Sequence, residues 1–150
     1  MMYYVIVFFI VLLDQWTKYL AKTYLYPIET YPLIENVFHL TYRENTGAAF
    51  SILRDKQTLL IIVTSIVVVI LIFYLIKIMK VEDFLLVKLP LSFIIGGAIG
   101  NLIDRIRLRY VIDFFDFNLI NFAVFNVADV FIVIGSIILG YAVIFKNVEI

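Results

Sequence analysis

The sequence contains no cysteine, one histidine, three prolines and six glycines among 150 residues. Without cysteine there is no disulfide framework, no thiolate nucleophile and no soft metal site, and the redox compartment stays open. His39 has no second histidine to share a metal, so a zinc protease of the H-E-x-x-H type is excluded and His39 reads as a partly exposed surface residue. Ser51, Ser65, Ser92 and Ser136 lack a G-x-S-x-G context, which leaves a serine triad without support. Charge is scarce as well. Only 16% of residues are Asp, Glu, Lys or Arg, and 12 basic against 12 acidic residues leave no polybasic face for nucleic acid.

What fills the chain is apolar: 64% hydrophobic, 17% aromatic, with a mean hydropathy of +1.05. A soluble domain is about half apolar and about a quarter charged, so this chain belongs in a bilayer. Residues 59–76 carry no charge and form a direct transmembrane signal. Residues 85–103 are interrupted only by Lys88 and by Pro90, which a helix tolerates in its first turn, and residues 124–145 contain one charge, Asp129. Residues 3–20 hold Asp14 and Lys18. No Lys or Arg precedes that apolar run and no small-residue cleavage site follows it, so it reads as a retained helix and not as a signal peptide.

The fold expected is therefore an all-α membrane protein, one domain over residues 1–150, with four transmembrane helices. A small β-rich surface segment is expected between helices 1 and 2, where 37–42 alternate (Val-Phe-His-Leu-Thr-Tyr). The connection 104–123, rich in Phe, is expected to lie along the interface as a loop. Four spans place both termini on one side. Lys77, Lys80, Lys88 and Lys146 share that side; Arg43, Arg54, Lys56, Arg105, Arg107 and Arg109 lie on the other, and by the positive-inside rule the longer loops would be cytoplasmic.

Polar residues within apolar helices need a partner or a function, because a carboxylate at mid-bilayer costs roughly 3 kcal/mol. Asp14 and Lys18, at i and i+4, sit about 40° apart on a helix and can neutralise each other, with Lys18 snorkelling to the interface. A direct role in a site is the alternative. Asp129 has no basic residue in its own helix before Lys146, so its partner comes from elsewhere; Asn126 lies on the same face. Gly96 and Gly100 form a GxxxG face for close helix packing. Asn101 and Arg105 share a face near the membrane surface, where Arg105 could anchor at headgroups, pair with Asp104 or serve a site. The run 43–50 is a turn of small residues.

Five motifs then fall in order: Asp14-Gln15-Trp16-Thr17-Lys18, Asn45-Thr46-Gly47-Ala48-Ala49-Phe50, Gly97-Ala98-Ile99-Gly100-Asn101-Leu102-Ile103-Asp104-Arg105, Val111-Ile112-Asp113-Phe114 and Phe125-Asn126-Val127-Ala128-Asp129. In order and spacing they resemble the lipoprotein signal peptidase (signal peptidase II) family of intramembrane aspartic proteases, over nearly the whole chain. The resemblance implies that Asp113 and Asp129 are the catalytic pair, that Asn45, Asn101, Arg105 and Asn126 line the substrate site, and that Asp14 and Lys18 form the first motif. It also implies removal of the signal peptide from a prolipoprotein, on the amino side of a diacylglyceryl-modified cysteine, with water and without metal or cofactor. The partners implied are that substrate and membrane lipid, with no nucleic acid, for a chain acting as a monomer. The location implied is the bacterial cytoplasmic membrane, termini cytoplasmic and site toward the outer face, against the charge count. A small proton-coupled transporter or a noncatalytic scaffold are the other classes. The first would show inverted repeats or broken helices around a midplane site, and none is visible.

Overall fold

The structure, a computed structural model, describes residues 1–47, 56–81, 84–120 and 122–145. Helix α1 (Met2–Leu20) runs into a π-helical turn, Ala21–Leu25, and then into a hairpin of β1 (Thr30–Ile34) and β2 (Phe38–Asn45). Helices α2 (Gln57–Ile78) and α3 (Leu85–Leu108) come next, then β3 (Val111–Asp116), a 3-10 turn at Asn118–Ile120, and α4 (Val127–Phe145). All four helices are long and apolar enough to cross a membrane.

α3 is the central element and packs on α1, α2 and α4. In its most apolar 18-residue window 56% of residues are buried, against 22% in α1 and 17% in α2 and α4, so the other three present most of their surface outward. That outward surface is Phe, Ile, Val and Leu: Phe8, Phe9, Ile66, Ile70, Phe73, Ile137 and Ile144 are all more than half exposed, as a lipid-facing surface requires. Leu75 and Ile78 of α2 pack on Val87, Leu91 and Ile95 of α3, with Tyr3 and Val7 of α1 against them. Lys88 is buried at the start of α3, where its ammonium donates to the carbonyls of Met79 (3.4 Å) and Val81 just beyond the end of α2. Those carbonyls lack helical partners, which is why a lysine is tolerated there.

Glycine sets the closeness of α3 to its neighbours. A Cβ at Gly96 would lie 2.9 Å from Cβ of Ile10, and one at Gly100 would lie 2.5 Å from Oδ2 of Asp14, so the GxxxG face is the seat of α1. Gly97 opens the opposite approach, to the Ala128 carbonyl of α4, and Gly135 of α4 gives room to the Pro90 carbonyl. α3 starts at Leu85 as expected, which makes Pro90 its sixth residue and places it in the second turn and not, as expected, in the first.

The sheet changes the expected architecture. It is antiparallel in the order β1-β2-β3, and its third strand comes from the connection between α3 and α4, which the sequence read as an interfacial loop. The fold is thus mostly helical with a three-stranded sheet, and its β structure is not confined to the segment between α1 and α2. β3 is hard to see in sequence because both its faces are covered. Ile112 and Phe114 pack on Ala21 and Leu25, while Val111 and Asp113 face the other way. α3 also runs past residue 103 to Leu108, which brings Asp104 into the helix and sets Arg105 one turn after Asn101 on the face expected for both. Arg109, at φ 68°, ends the helix in the left-handed conformation and turns the chain into β3.

Candidate active site

α4 begins later than its hydropathy implied, at Val127, because Asn126 caps it. The Asp129 backbone N–H donates to Asn126 Oδ1 (3.0 Å), and the Asn126 backbone N–H donates to Asp129 Oδ2 (3.2 Å). This reciprocal pair is the capping-box arrangement with an aspartate in the third helical position. Asp129 therefore sits at the end of its span, in the first turn of α4, where the helix N-terminus favours an acidic side chain.

The same cap brings Asp113 beside Asp129. Asn126 Nδ2 donates to Asp113 Oδ1 at 2.6 Å, and Asn45 Nδ2, from the end of β2, donates to Asp113 Oδ2 at 2.9 Å. Asn101 Nδ2, from α3, donates to Asp129 Oδ1 at 2.8 Å. Four elements thus deliver amide donors or carboxylates to one point. Asp113 is 2% exposed; burial first, and the neighbouring Asp129 carboxylate second, push its pKa up to about 7, against the lowering pull of the Asn45 and Asn126 hydrogen bonds and of the Lys18 charge.

In front of the carboxylates opens a cavity of about 790 Å³ whose lining includes Asn45, Asn101, Arg105, Asp113 and Asp129. The rest of its lining is largely apolar, from Phe122 to Phe125 and from Val130, Ile132, Val133 and Ile134 of α4, so the carboxylates share one cavity with a hydrocarbon surface. Arg105 Nη2 donates to the Gly47 carbonyl (3.3 Å), and its buried Nε has no partner among the described residues. Of the three roles open to Arg105 from sequence, pairing with Asp104 gives way, because Asp104 faces Lys18, Gln15 and the Ile112 N–H instead. Asn45 Oδ1 accepts the Gly47 N–H (2.9 Å), which makes 45–47 the turn expected there; residues 48–50 of that motif lie outside the described residues.

Of the eight residues singled out in the sequence, Asn126, Asp14 and Lys18 stand behind the cavity wall. Asn126 and Asp14 are fully buried. Lys18 pairs with Asp14 as its spacing predicted (2.9 Å), yet it does not snorkel: it is 2% exposed and also meets Asp104 (3.0 Å) and Asn101 Oδ1 (2.9 Å). Three oxygen acceptors inside the bundle replace the water it would otherwise seek. Asp14 reaches further, accepting the backbone N–H of Ala128 at the head of α4 (3.0 Å). Gln15 and Gln57 were not singled out. Gln15 donates to Asp104 (2.9 Å) and to the Gly100 carbonyl (3.2 Å), and Gln57 holds the Thr46 carbonyl at 2.5 Å. The only sequence sign of either was a carboxamide bordering an apolar helix. Among the described residues no three His, Asp or Glu side chains are grouped to hold a metal ion.

Such a site, with two adjacent carboxylates, one of them holding its proton near neutrality, suits acid–base chemistry on a polar group delivered from an apolar channel. Comparison with known proteins bears on what that group is. The family model described as signal peptidase (SPase) II matches residues 6–145. The lipoprotein signal peptidase of Caldanaerobacter subterraneus subsp. tengcongensis is 56% identical over 143 residues, 95% of this chain and 96% of that protein. The lipoprotein signal peptidase of Clostridioides difficile is 46% identical over 145 residues, 97% and 96% of the two chains. Among solved structures, a bacterial membrane enzyme determined by the in meso method at 2.3 Å resolution superposes with a TM-score of 0.83 at 30% identity, covering 97% of this chain and 89% of the other. A second, at 1.9 Å, gives 0.81 at 31% identity, covering 97% and 94%.

Proposed function

The chain belongs to the signal peptidase II family, and from that membership we propose that it removes signal peptides from prolipoproteins by aspartic-protease chemistry, with Asp113 and Asp129 as the catalytic pair. The observation that carries the reading is the shared cap: Asn126 binds both carboxylates, one through its side chain and one through its backbone, at the head of an apolar cavity.

Two carboxylates in one site do not both ionise readily, so the pair holds one proton between them. Asp113, raised to about 7, is the member suited to carry it and to donate a hydrogen bond to the scissile carbonyl. Asp129 then takes a proton from the attacking water, and the peptide bond breaks as the amine leaves with a proton from the pair. No metal or nucleotide enters these steps. Arg105 and Asn45, both lining the cavity, offer donors to the peptide backbone, which compensates for hydrogen bonds it loses on leaving water. The apolar lining from Val130, Ile132, Val133 and Ile134 suits the acyl chains of a diacylglyceryl cysteine, and cleavage on the amino side of that residue is what the family's task implies. The same reading places the protein in the bacterial cytoplasmic membrane, termini inside and the sheet at the outer face.

The test is cleavage of a diacylglyceryl-modified prolipoprotein by the purified protein in detergent or lipid. Asp113→Asn and Asp129→Asn are each expected to lower turnover at least a thousandfold while the protein stays folded, and EDTA is expected to leave the wild type active. Full activity in either variant rejects the pair, and loss of activity in EDTA rejects metal-free chemistry.

A further inference from the structure

Asn101 stands between Lys18 and Asp129, and its amide can be held in two ways. Its oxygen accepts from Lys18 Nζ (2.9 Å) and from Asn126 Nδ2 (3.1 Å), while its nitrogen donates to Asp129 Oδ1 (2.8 Å). Rotating the amide by 180° would place its NH2 against an ammonium and a second NH2, neither of which accepts a hydrogen bond, and would turn its oxygen toward a carboxylate. Of the two donors to the Asn101 oxygen Lys18 is the stronger, because it is charged and buried at 2% exposure. Asn126 is fixed differently. Its oxygen is taken by the Asp129 backbone N–H, so its NH2 faces Asp113 and Asn101 whatever α1 does.

We propose that Lys18 is a positioning residue for the catalytic pair: together with Asn126 Nδ2 it holds the oxygen of Asn101, and as the charged donor of the two it fixes firmly the amide whose N–H is presented to Asp129. This rests on the Asp113–Asp129 reading above. It gives the first motif a role beyond mutual neutralisation of Asp14 and Lys18. Asp14 is a fixed part of the same device, since it holds Lys18 at 2.9 Å and the Ala128 N–H of α4 at 3.0 Å, and Gly100 leaves the space it occupies. The ionisable groups around Asn101 are Asp14 and Lys18 from α1, Asp104 and Arg105 from α3, Asp113 from β3 and Asp129 from α4. Lys18 is the cation hydrogen-bonded to Asn101.

The measurement is the pH profile of kcat/KM for Lys18→Met, Asn101→Ala and their combination, with a melting curve for each. Without Lys18 the Asn101 oxygen is held by Asn126 Nδ2 alone, and the amide presents its N–H to Asp129 less firmly, so Lys18→Met is expected to move the acid limb of the pair to higher pH and to lower kcat by about tenfold, with KM little changed. Once Asn101 is alanine, Lys18→Met is expected to add less than about twofold on the acid side of the profile, because the route through the amide is already gone and the direct pull of the Lys18 charge on Asp113 acts on the basic limb. Lys18→Arg, which keeps a donor cation, is expected to retain the wild-type acid limb. Where Lys18→Met alone does not fold, Asp14→Asn with Lys18→Met removes both charges of the pair together and is scored in the same way. An unshifted acid limb in a folded Lys18 variant, or effects of Lys18→Met and Asn101→Ala that multiply, overturns the positioning role. Activity retained in Asp113→Asn or Asp129→Asn instead overturns the catalytic pair, so the two failures are told apart.

Discussion

Asn45 donates to Asp113 Oδ2 across the β2–β3 pairing, and that hydrogen bond pulls the carboxyl down from where burial would leave it. Its removal therefore has a definite sign. Asn45→Ala lets Asp113 rise above about 7, so the proton on Asp113 is held to higher pH. If Asp113 must be protonated to act, activity falls as pH rises through its pKa, and the basic limb of the kcat/KM profile is expected to move up by about one pH unit, a hydrogen bond to a charged group contributing ~1.5 kcal/mol. A basic limb that stays in place would mean that a group other than Asp113 sets it. The residues themselves were legible in sequence, as carboxylates and carboxamides stranded in apolar surroundings. Their division of labour was not, since Asn101 and Asn126 are the same residue type and only their partners, Lys18 in one case and the α4 backbone in the other, distinguish them.

At the scale of elements, glycine decides how closely α3 meets α1 and α4. A methyl group at Gly97 would collide with the backbone carbonyl of Ala128, which cannot rotate aside, and it would push away the first turn of α4 that carries Asp129. Gly97→Ala is expected to destabilise by about 1–3 kcal/mol, lowering Tm by roughly 3–10 °C, and to reduce turnover in the molecules that remain folded. Gly140→Ala is the matched control in α4. Nothing lies within 4 Å of its added methyl, so Tm is expected to stay or rise slightly. Equal melting temperatures for the two variants would show that the α3–α4 seam yields more easily than its geometry implies. The sequence announced α1 to α4 through uninterrupted apolar length, but placed the ends of α3 and α4 by hydropathy. The structure ends α3 at the left-handed Arg109 and begins α4 at the Asn126 cap, and both corrections move acidic residues: Asp104 into a helix and Asp129 to a helix end.

For the molecule as a whole, the sheet, the carboxylates and the cavity gather at one end of the bundle, and the start of α1 at Met2 and the end of α4 at Phe145 lie at the other. Counting Lys and Arg would turn the sheet end toward the cytoplasm. Setting aside the buried Lys88 and the cavity-facing Arg105 takes one cation from each end and leaves that imbalance as it was, so the orientation proposed here rests on the family and needs a direct test. The proposed orientation can be read directly, because the chain has no native cysteine to interfere. A membrane-impermeant maleimide applied to intact spheroplasts is expected to label Leu33→Cys, exposed on β1, and to reach Lys80→Cys, exposed beyond α2, only after permeabilisation. The opposite pattern would invert the protein and put the cavity on the cytoplasmic side.

Composition and local period were enough to establish residence in a bilayer, four helices, the exclusion of thiol chemistry, and a short roster of polar residues whose burial demands a reason. Hydropathy acts residue by residue along the chain, so these features need no knowledge of the fold. Tertiary structure alone decided that 111–116 is a strand, that Lys18 turns inward to three oxygen acceptors, and that one asparagine cap joins Asp113 to Asp129. Each of these depends on a partner from a distant part of the chain. In a bundle with so few polar groups, the free energy of leaving any one unpaired is what forces them into a single connected site.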